Sequence, residues 1–217
     1  MDFLLHPANW DLTDPGSIPY LFLDHLYITG LTLLIGLLIA FPIAFLLVRY
    51  TRLNLPVQTA ASILYTIPSF AFLAYMIRIT GFTLATILVP LIAYAQVVLI
   101  RNIVAAIRAV DPTLVEVGRA MGMNGVQLQR RVVLPLSLPI IVAGIRVVAV
   151  TTIGIATLGP YVGTPNLGTL IYDGINFARN DEIVAGAILI TALAITVDLL
   201  LLGAQRLLNR GGQVALS

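Results

Sequence analysis

Arg146 and Asp198 are the two charged residues that fall inside long apolar stretches of this sequence. An ionised side chain in hydrocarbon is costly enough to need a partner or an escape route. The two can pair with each other, snorkel separately to the interface, or act directly on something that crosses the membrane. Other reactive groups are scarce. Cysteine is absent, which excludes disulfides, thiolate metal sites and cysteine nucleophiles. All 12 basic residues are arginine. A phosphate-binding loop of the G-x-x-x-x-G-K-[ST] kind needs a lysine, so any use of ATP must reside in another polypeptide. His6 and His25 lack a clustered carboxylate and read as outside, interfacial side chains with no metal site between them. Tyr65, Phe70, Phe72 and Tyr75 could cage a cation or simply pack. The hydroxyls of Thr151, Thr152 and Thr157 could line a polar path or bond back to their own helix.

Composition says what must position these groups. The chain is 59% hydrophobic and 10% charged with mean hydropathy +1.00, against roughly 45–50% and 25% in soluble domains. The apolar runs are too long and too uniform for barrel strands, so the spans are helices. Residues 1–22 have no arginine, so they lack the positive region of a cleavable signal peptide and read as an extracytoplasmic segment. Spans are expected at about 26–48, 57–77, 79–100, 137–158 and 183–204, with a polar stretch at 111–131 and a disordered tail beyond Gly211. The segment from Gly159 to Ile175 holds Gly159, Pro160, Gly163, Pro165 and Gly168, too broken for one straight helix. Such backbone is tolerated at membrane depth only where protein or a water-filled cavity covers it. The expected fold class is an all-α integral membrane protein of five transmembrane helices.

An odd number of spans puts the termini on opposite sides. With the N-terminus outside, ten of the 12 arginines fall in or near inner segments and only Arg78 and Arg179 fall outside. The polar stretch is then cytoplasmic. In it Asp111 is a good N-cap and Pro112 a good first helical residue. Gly122 and Gly125 mark a helix end and a turn into a second short helix, Val126 to Arg131. Two short helices across a membrane face make a compact docking knob.

The residues from Glu116 to Pro135 resemble the EAA loop of binding-protein-dependent ABC importer permeases: E-A-A, three residues, G, nine residues, I, one residue, L-P. Glu116, Val117 and Gly118 stand for E-A-A, Gly122 for the glycine, Val132 for the isoleucine, and Leu134 with Pro135 for L-P. Every spacing matches. Val117 and Gly118 depart from the two alanines, and Gly118 weakens its helix by roughly 1 kcal/mol relative to alanine. The resemblance implies a type I importer fold whose coupling loop, with Glu116, Val117, Gly118, Ala120, Gly122, Leu134 and Pro135, sits in a cleft on a separate ATPase.

A second resemblance runs from about Leu23 to Arg206. Tyr65 to Met76, Val97 to Met123, Leu134 to Val148 and Gly163 to Ile175 look like permeases of glycine betaine, choline and related osmoprotectant importers. Their usual Gly-Ala-Gly-Gly-Leu-Gly segment is Gly163, Thr164, Pro165, Asn166, Leu167 and Gly168 here. Methionine-type permeases share the five-span core and are the nearest competing subfamily. The resemblance implies a transmembrane domain over 23–206 and a cytoplasmic tail over 207–217. The implied partners are a second permease copy, two ATPase subunits holding ATP and Mg, an extracytoplasmic binding protein and the lipid bilayer, with no nucleic acid. The implied site is a bacterial or archaeal inner membrane. No cofactor is expected in this chain. Tyr65, Ser69, Thr151, Thr152, Thr157 and Asn166 are the candidate pathway residues. A single-component transporter would show several intramembrane ionisable groups and often an internal repeat, and a membrane-embedded enzyme would show an acid, base or nucleophile set at one depth. Neither pattern is present.

Overall fold

The computed structural model describes residues 2–214 and the side chains of residues 3–209. Ten α-helices follow one another: α1 (Asp2–Leu5), α2 (Ile18–Arg49), α3 (Asn54–Tyr65), α4 (Ser69–Thr80), α5 (Leu84–Arg108), α6 (Pro112–Ala120), α7 (Gly125–Leu128), α8 (Leu134–Ala156), α9 (Gly168–Asn176) and α10 (Asn180–Val214). Among the described residues there is no strand. Four segments are long and apolar enough to cross a bilayer: Ile18–Arg49, Leu84–Arg108, Gly125–Ala156 and Asn180–Asn209. A fifth crossing requires α3 and α4 together.

The uncharged run expected as one span over 57–77 is two helices meeting at 90°. Pro68 explains the break, because a proline disfavours helical backbone at the residue before it and donates no hydrogen bond. The bend leaves the Ile67 carbonyl without a helical partner, and the Tyr94 hydroxyl of α5 donates to it at 2.7 Å. The third span begins later than position 79, because Gly81 has φ +68° and Thr83 starts the new helix. It also runs past Arg101 to Arg108. A charge ends an apolar run, but only a backbone obstacle such as Asp111-Pro112 ends a helix.

The second short helix expected over Val126 to Arg131 is α7 followed by a π-turn, Gln129–Val133, that leads without a break into α8. Pro135 has no N–H for the carbonyl four residues back, and a widened turn just before it accommodates that loss. At the other end α10 continues to Val214, past Gly211, where a disordered tail was expected. Residues 215–217 lie outside the described residues.

Two apolar clusters mark the two ends of the bundle. At one end Leu47, Ile103, Val104 and Ile107 pack with Leu128 and Val133, tying the last turns of α2 and α5 to α7 and the start of α8. At the other, Ile18 and Leu21 pack with Ile153, Leu167, Leu170 and Leu193. α2 and α8 are therefore antiparallel, and α10 runs back toward the α6 end.

Candidate functional site

The Asp111 carboxylate accepts from the Thr113 N–H at 2.8 Å and starts α6. At the far end the Gly122 N–H donates to Arg119 O at 2.9 Å and the Met123 N–H to Gly118 O at 3.2 Å. These two crossed bonds form a Schellman cap, which needs a left-handed residue at its centre. Gly122 supplies it with φ +79°. The Asn124 side chain then caps α7 by accepting from Gln127 N–H at 2.9 Å, while Gln127 Oε1 takes the Asn124 N–H at 3.0 Å. A nine-residue helix is thus fixed at both ends by local bonds.

One face of α6 carries Leu114, Val115 and buried Gly118. A methyl group at Gly118 would lie 2.7 Å from Leu128 Cδ1 and 3.6 Å from Val132 Cγ2. The second alanine of the motif is thus a glycine where α6 lies directly on α7 and the π-turn. The opposite face presents Glu116, Arg119 and Ala120, all exposed. Val117 is 51% exposed and Met121 72%, and Val126 of α7 is 65% exposed. Glu116 makes no ion pair among the described residues. Leu134 is half-buried against the core and Pro135 is exposed. The result is a knob with an apolar and charged outer face, held rigidly to the ends of two long helices.

Arg146 and Asp198 face each other between α8 and α10. Arg146 Nε donates to Asp198 Oδ1 at 2.9 Å and Nη2 to Oδ2 at 2.8 Å, a two-pronged pair. Arg146 Nη1 also donates to Gln205 Oε1 at 3.1 Å. Of the alternatives open from sequence, pairing is the one the geometry displays. The pair lines an open groove of about 840 Å³ with Val147, Val150, Thr151 and Ile195.

The candidate pathway residues do not converge. Thr151 is in this groove, but its hydroxyl bonds back to Val147 O at 2.9 Å. Thr157 bonds back to Gly154 O at 2.7 Å, and Thr152 is buried. Tyr65, 47% exposed, and half-buried Ser69 flank the α3–α4 bend instead. The aromatic rings form two separate clusters. Tyr65 and Phe72 stand edge-on to Tyr94, at 5.6 and 5.9 Å between centroids, while Phe70 and Tyr172 stand edge-on to Tyr161. Tyr75 belongs to neither cluster.

Asn166, expected on the pathway, is 0% exposed. Its Nδ2 donates to Ala156 O and Thr164 O, and its Oδ1 accepts from the Gly168 N–H. A side chain this fully committed braces the broken segment; it has nothing left for a passing solute. At Gly168 a methyl group would overlap the Thr157 carbonyl, so backbone meets backbone there. His25, expected at the interface, is also 0% exposed and reaches the same brace. The signal was available: Ile18, Leu21, His25, Ile28, Thr32 and Gly36 recur at helical spacing on one buried face of α2. Among the described residues no group of three or more His, Cys, Asp or Glu could hold a metal.

The family described as binding-protein-dependent transport system inner membrane component matches residues 32–212. The choline transport system permease protein OpuBB of Bacillus subtilis is 34% identical, over 95% of this chain and 95% of its own length. The carnitine transport permease protein OpuCB of Listeria monocytogenes is 39% identical, over 81% and 80%. The osmoprotectant import permease protein OsmW of Salmonella typhimurium is 33% identical, over 94% and 97%. Among solved structures, an inward-facing form of the MetNI methionine ABC transporter superposes with a TM-score of 0.76 at 24% identity, covering 85% of this chain and 93% of that one.

Proposed function

We propose that this chain, which belongs to the family of binding-protein-dependent transport system inner membrane components, forms the membrane path of an ATP-driven importer for a small quaternary ammonium osmoprotectant. The observation that carries the mechanical half of this reading is α6, a short helix capped at both ends, with Val117 and Met121 outward and Gly118 packed inward. A rigid rod packed on α7 and the π-turn, which tie the ends of α2 and α5 to the start of α8, passes a displacement on to three crossings at once. A floppy loop would absorb it. In this reading Glu116, Val117, Ala120 and Met121 meet an ATPase subunit, which holds the ATP and Mg, and ATPase closure drives the rearrangement.

Relatives at 33–39% identity named for choline, carnitine and osmoprotectant transport support the substrate class. The methionine transporter likeness, at 24% identity, speaks to fold alone. The full assembly we propose has two copies of this subunit enclosing the path, two ATPases, and an external binding protein that supplies selectivity. It lies in a bacterial or archaeal inner membrane, with the N-terminus outside.

The test is reconstitution of the subunit with its co-encoded ATPase and binding protein in liposomes. Choline, glycine betaine, carnitine, proline betaine and methionine are offered in turn. ATP-dependent uptake of one of the first four is expected, with no ATP turnover by the isolated subunit. Uptake of methionine alone would overturn the substrate class, and turnover by the isolated chain would overturn the division of labour.

A further inference from the structure

The brace around Asn166 constrains the protonation of His25. Asn166 Nδ2 donates to Ala156 O at 2.9 Å and to Thr164 O at 3.2 Å, and Oδ1 accepts from the Gly168 N–H at 2.7 Å. Turning this amide over would set its oxygen against two carbonyls and its NH₂ against an N–H, so its orientation is fixed by its neighbours. The atom facing His25 Nδ1 at 3.2 Å is therefore an oxygen that can only accept. The other ring nitrogen, Nε2, lies 3.1 Å from the Ile153 carbonyl, which also can only accept. A neutral imidazole owns one N–H and serves one of these oxygens. The imidazolium serves both.

The surroundings bear on the same choice. Ile153 and Ala156 are in the last turn of α8, whose carbonyls carry partial negative charge and favour a nearby cation. Burial opposes the charge. Few other charges take part. Asp24 is next to His25 on α2 but exposed. On α8 the nearest ionisable side chain in sequence is Arg146, held by Asp198 of α10. α10 contributes apolar Leu189, Leu193 and Val197 to this cluster, and its Glu182 is engaged by Arg179 at 2.6 Å. From the segment between α8 and α9 the only ionisable group is Tyr161, set edge-on to Phe70 and Tyr172. On α9 Leu170 packs in the cluster, while Tyr172 and Asp173 are half-buried.

We propose that His25 is a positioning residue that carries two protons in this arrangement and clamps the end of α8 and the Gly159–Gly168 segment onto α2. Loss of one proton removes the His25 hydrogen bond to either Ile153 O or Asn166 Oδ1. The Asn166 brace keeps its own bonds to Ala156, Thr164 and Gly168, and what loosens is the tie between α2 and this region. With the N-terminus outside, as proposed above, the clamp is at the external end of the path and answers to external pH. Import becomes pH-dependent through the permease itself, separately from any pH effect on the binding protein.

Nitrogen NMR decides the chemistry directly. The chain has 2 histidines, so ¹⁵N-histidine labelling of a His6→Ala variant in liposomes leaves one imidazole to observe. Two protonated ring nitrogens at about pH 5.5, and one at about pH 8.5, are expected for a titrating clamp. A singly protonated ring throughout that range overturns the proposal. This arm needs only the subunit in lipid, so it stands or falls independently of the importer reading.

The functional arm compares uptake by the assembled transporter at the same two external pH values, corrected for binding-protein occupancy measured at each. Wild type should differ by about fivefold, the effect of one hydrogen bond on an equilibrium. His25→Gln, which bonds but does not titrate in this range, should be flat. A wild-type pH profile retained in His25→Gln, with normal membrane abundance, overturns the clamp. Should that variant fail to insert, the nitrogen spectra of the His6→Ala protein still decide.

Discussion

Gly122 has φ +79° and closes α6 with crossed hydrogen bonds, while a methyl group built on it would meet nothing within 4 Å. Sequence spacing marked it as a helix end and as the glycine of the coupling-loop pattern, without saying what a side chain there would disturb. The geometry selects conformation. Left-handed backbone costs an ordinary L-residue about 1–2 kcal/mol, and asparagine less. Gly122→Asn should therefore retain ATPase binding better than Gly122→Ala, and Gly122→Val should be worst, as read by co-purified ATPase per subunit. Equal retention by all three would mean the cap is not needed. At Arg146 and Asp198 the spacing could only place two charges at compatible depth. The paired geometry predicts that Asp198→Asn and Arg146→Gln each lower the thermal unfolding midpoint in detergent, and that the exchange Arg146→Asp with Asp198→Arg recovers part of the loss. Additive losses in the exchanged protein would show that the pair does not couple.

Helix existence was legible in the apolar runs, and helix ends were not, because charge was used to find them. Arg101 closes an apolar run yet is inside α5, which continues to Arg108. Its side chain reaches across to the Ser62 hydroxyl of α3 at 3.2 Å, an interaction that spacing cannot reveal. His25 fell outside the first expected span, 26–48, although α2 begins at Ile18. The bend between α3 and α4 had a visible cause in Pro68. Its support, the Tyr94 hydroxyl on Ile67 O, depends on a contact between residues 27 apart. Tyr94→Phe keeps the edge-on packing with Tyr65 and Phe72 while orphaning that carbonyl, so it should lower stability by about 1–3 kcal/mol. Unfolding followed by denaturant titration in mixed micelles would measure this. A stability unchanged within error would mean water satisfies the bend.

Across the whole molecule the arginines separate by end. Arg49 closes α2 and Arg108 closes α5, beside the knob with Arg119, Arg130 and Arg131. Arg206 joins them, because the Arg146 contacts to Asp198 and Gln205 run α10 back toward the start of α8. Arg78 closes α4 at the other end, where Ile77 packs near Ile28, Ala156 and Val162. Arg179 is there too, next to the first turn of α10. This three-dimensional grouping is stronger than the count along the sequence, since it holds even though the second crossing is bent and the third extends beyond its apolar run. Excess arginine marks the cytoplasmic side, so the α6 end should face the ATPase compartment and the N-terminus the outside. Single-cysteine probes test this cleanly because the chain has no cysteine of its own. Thr13 and Asn209 are both exposed and lie at opposite ends. In intact cells an impermeant thiol reagent should label Thr13→Cys and not Asn209→Cys, with both labelled after the membrane is opened. The reverse pattern would put the knob outside, where no ATP-driven partner could reach it, and the coupling mechanism would fail with the topology.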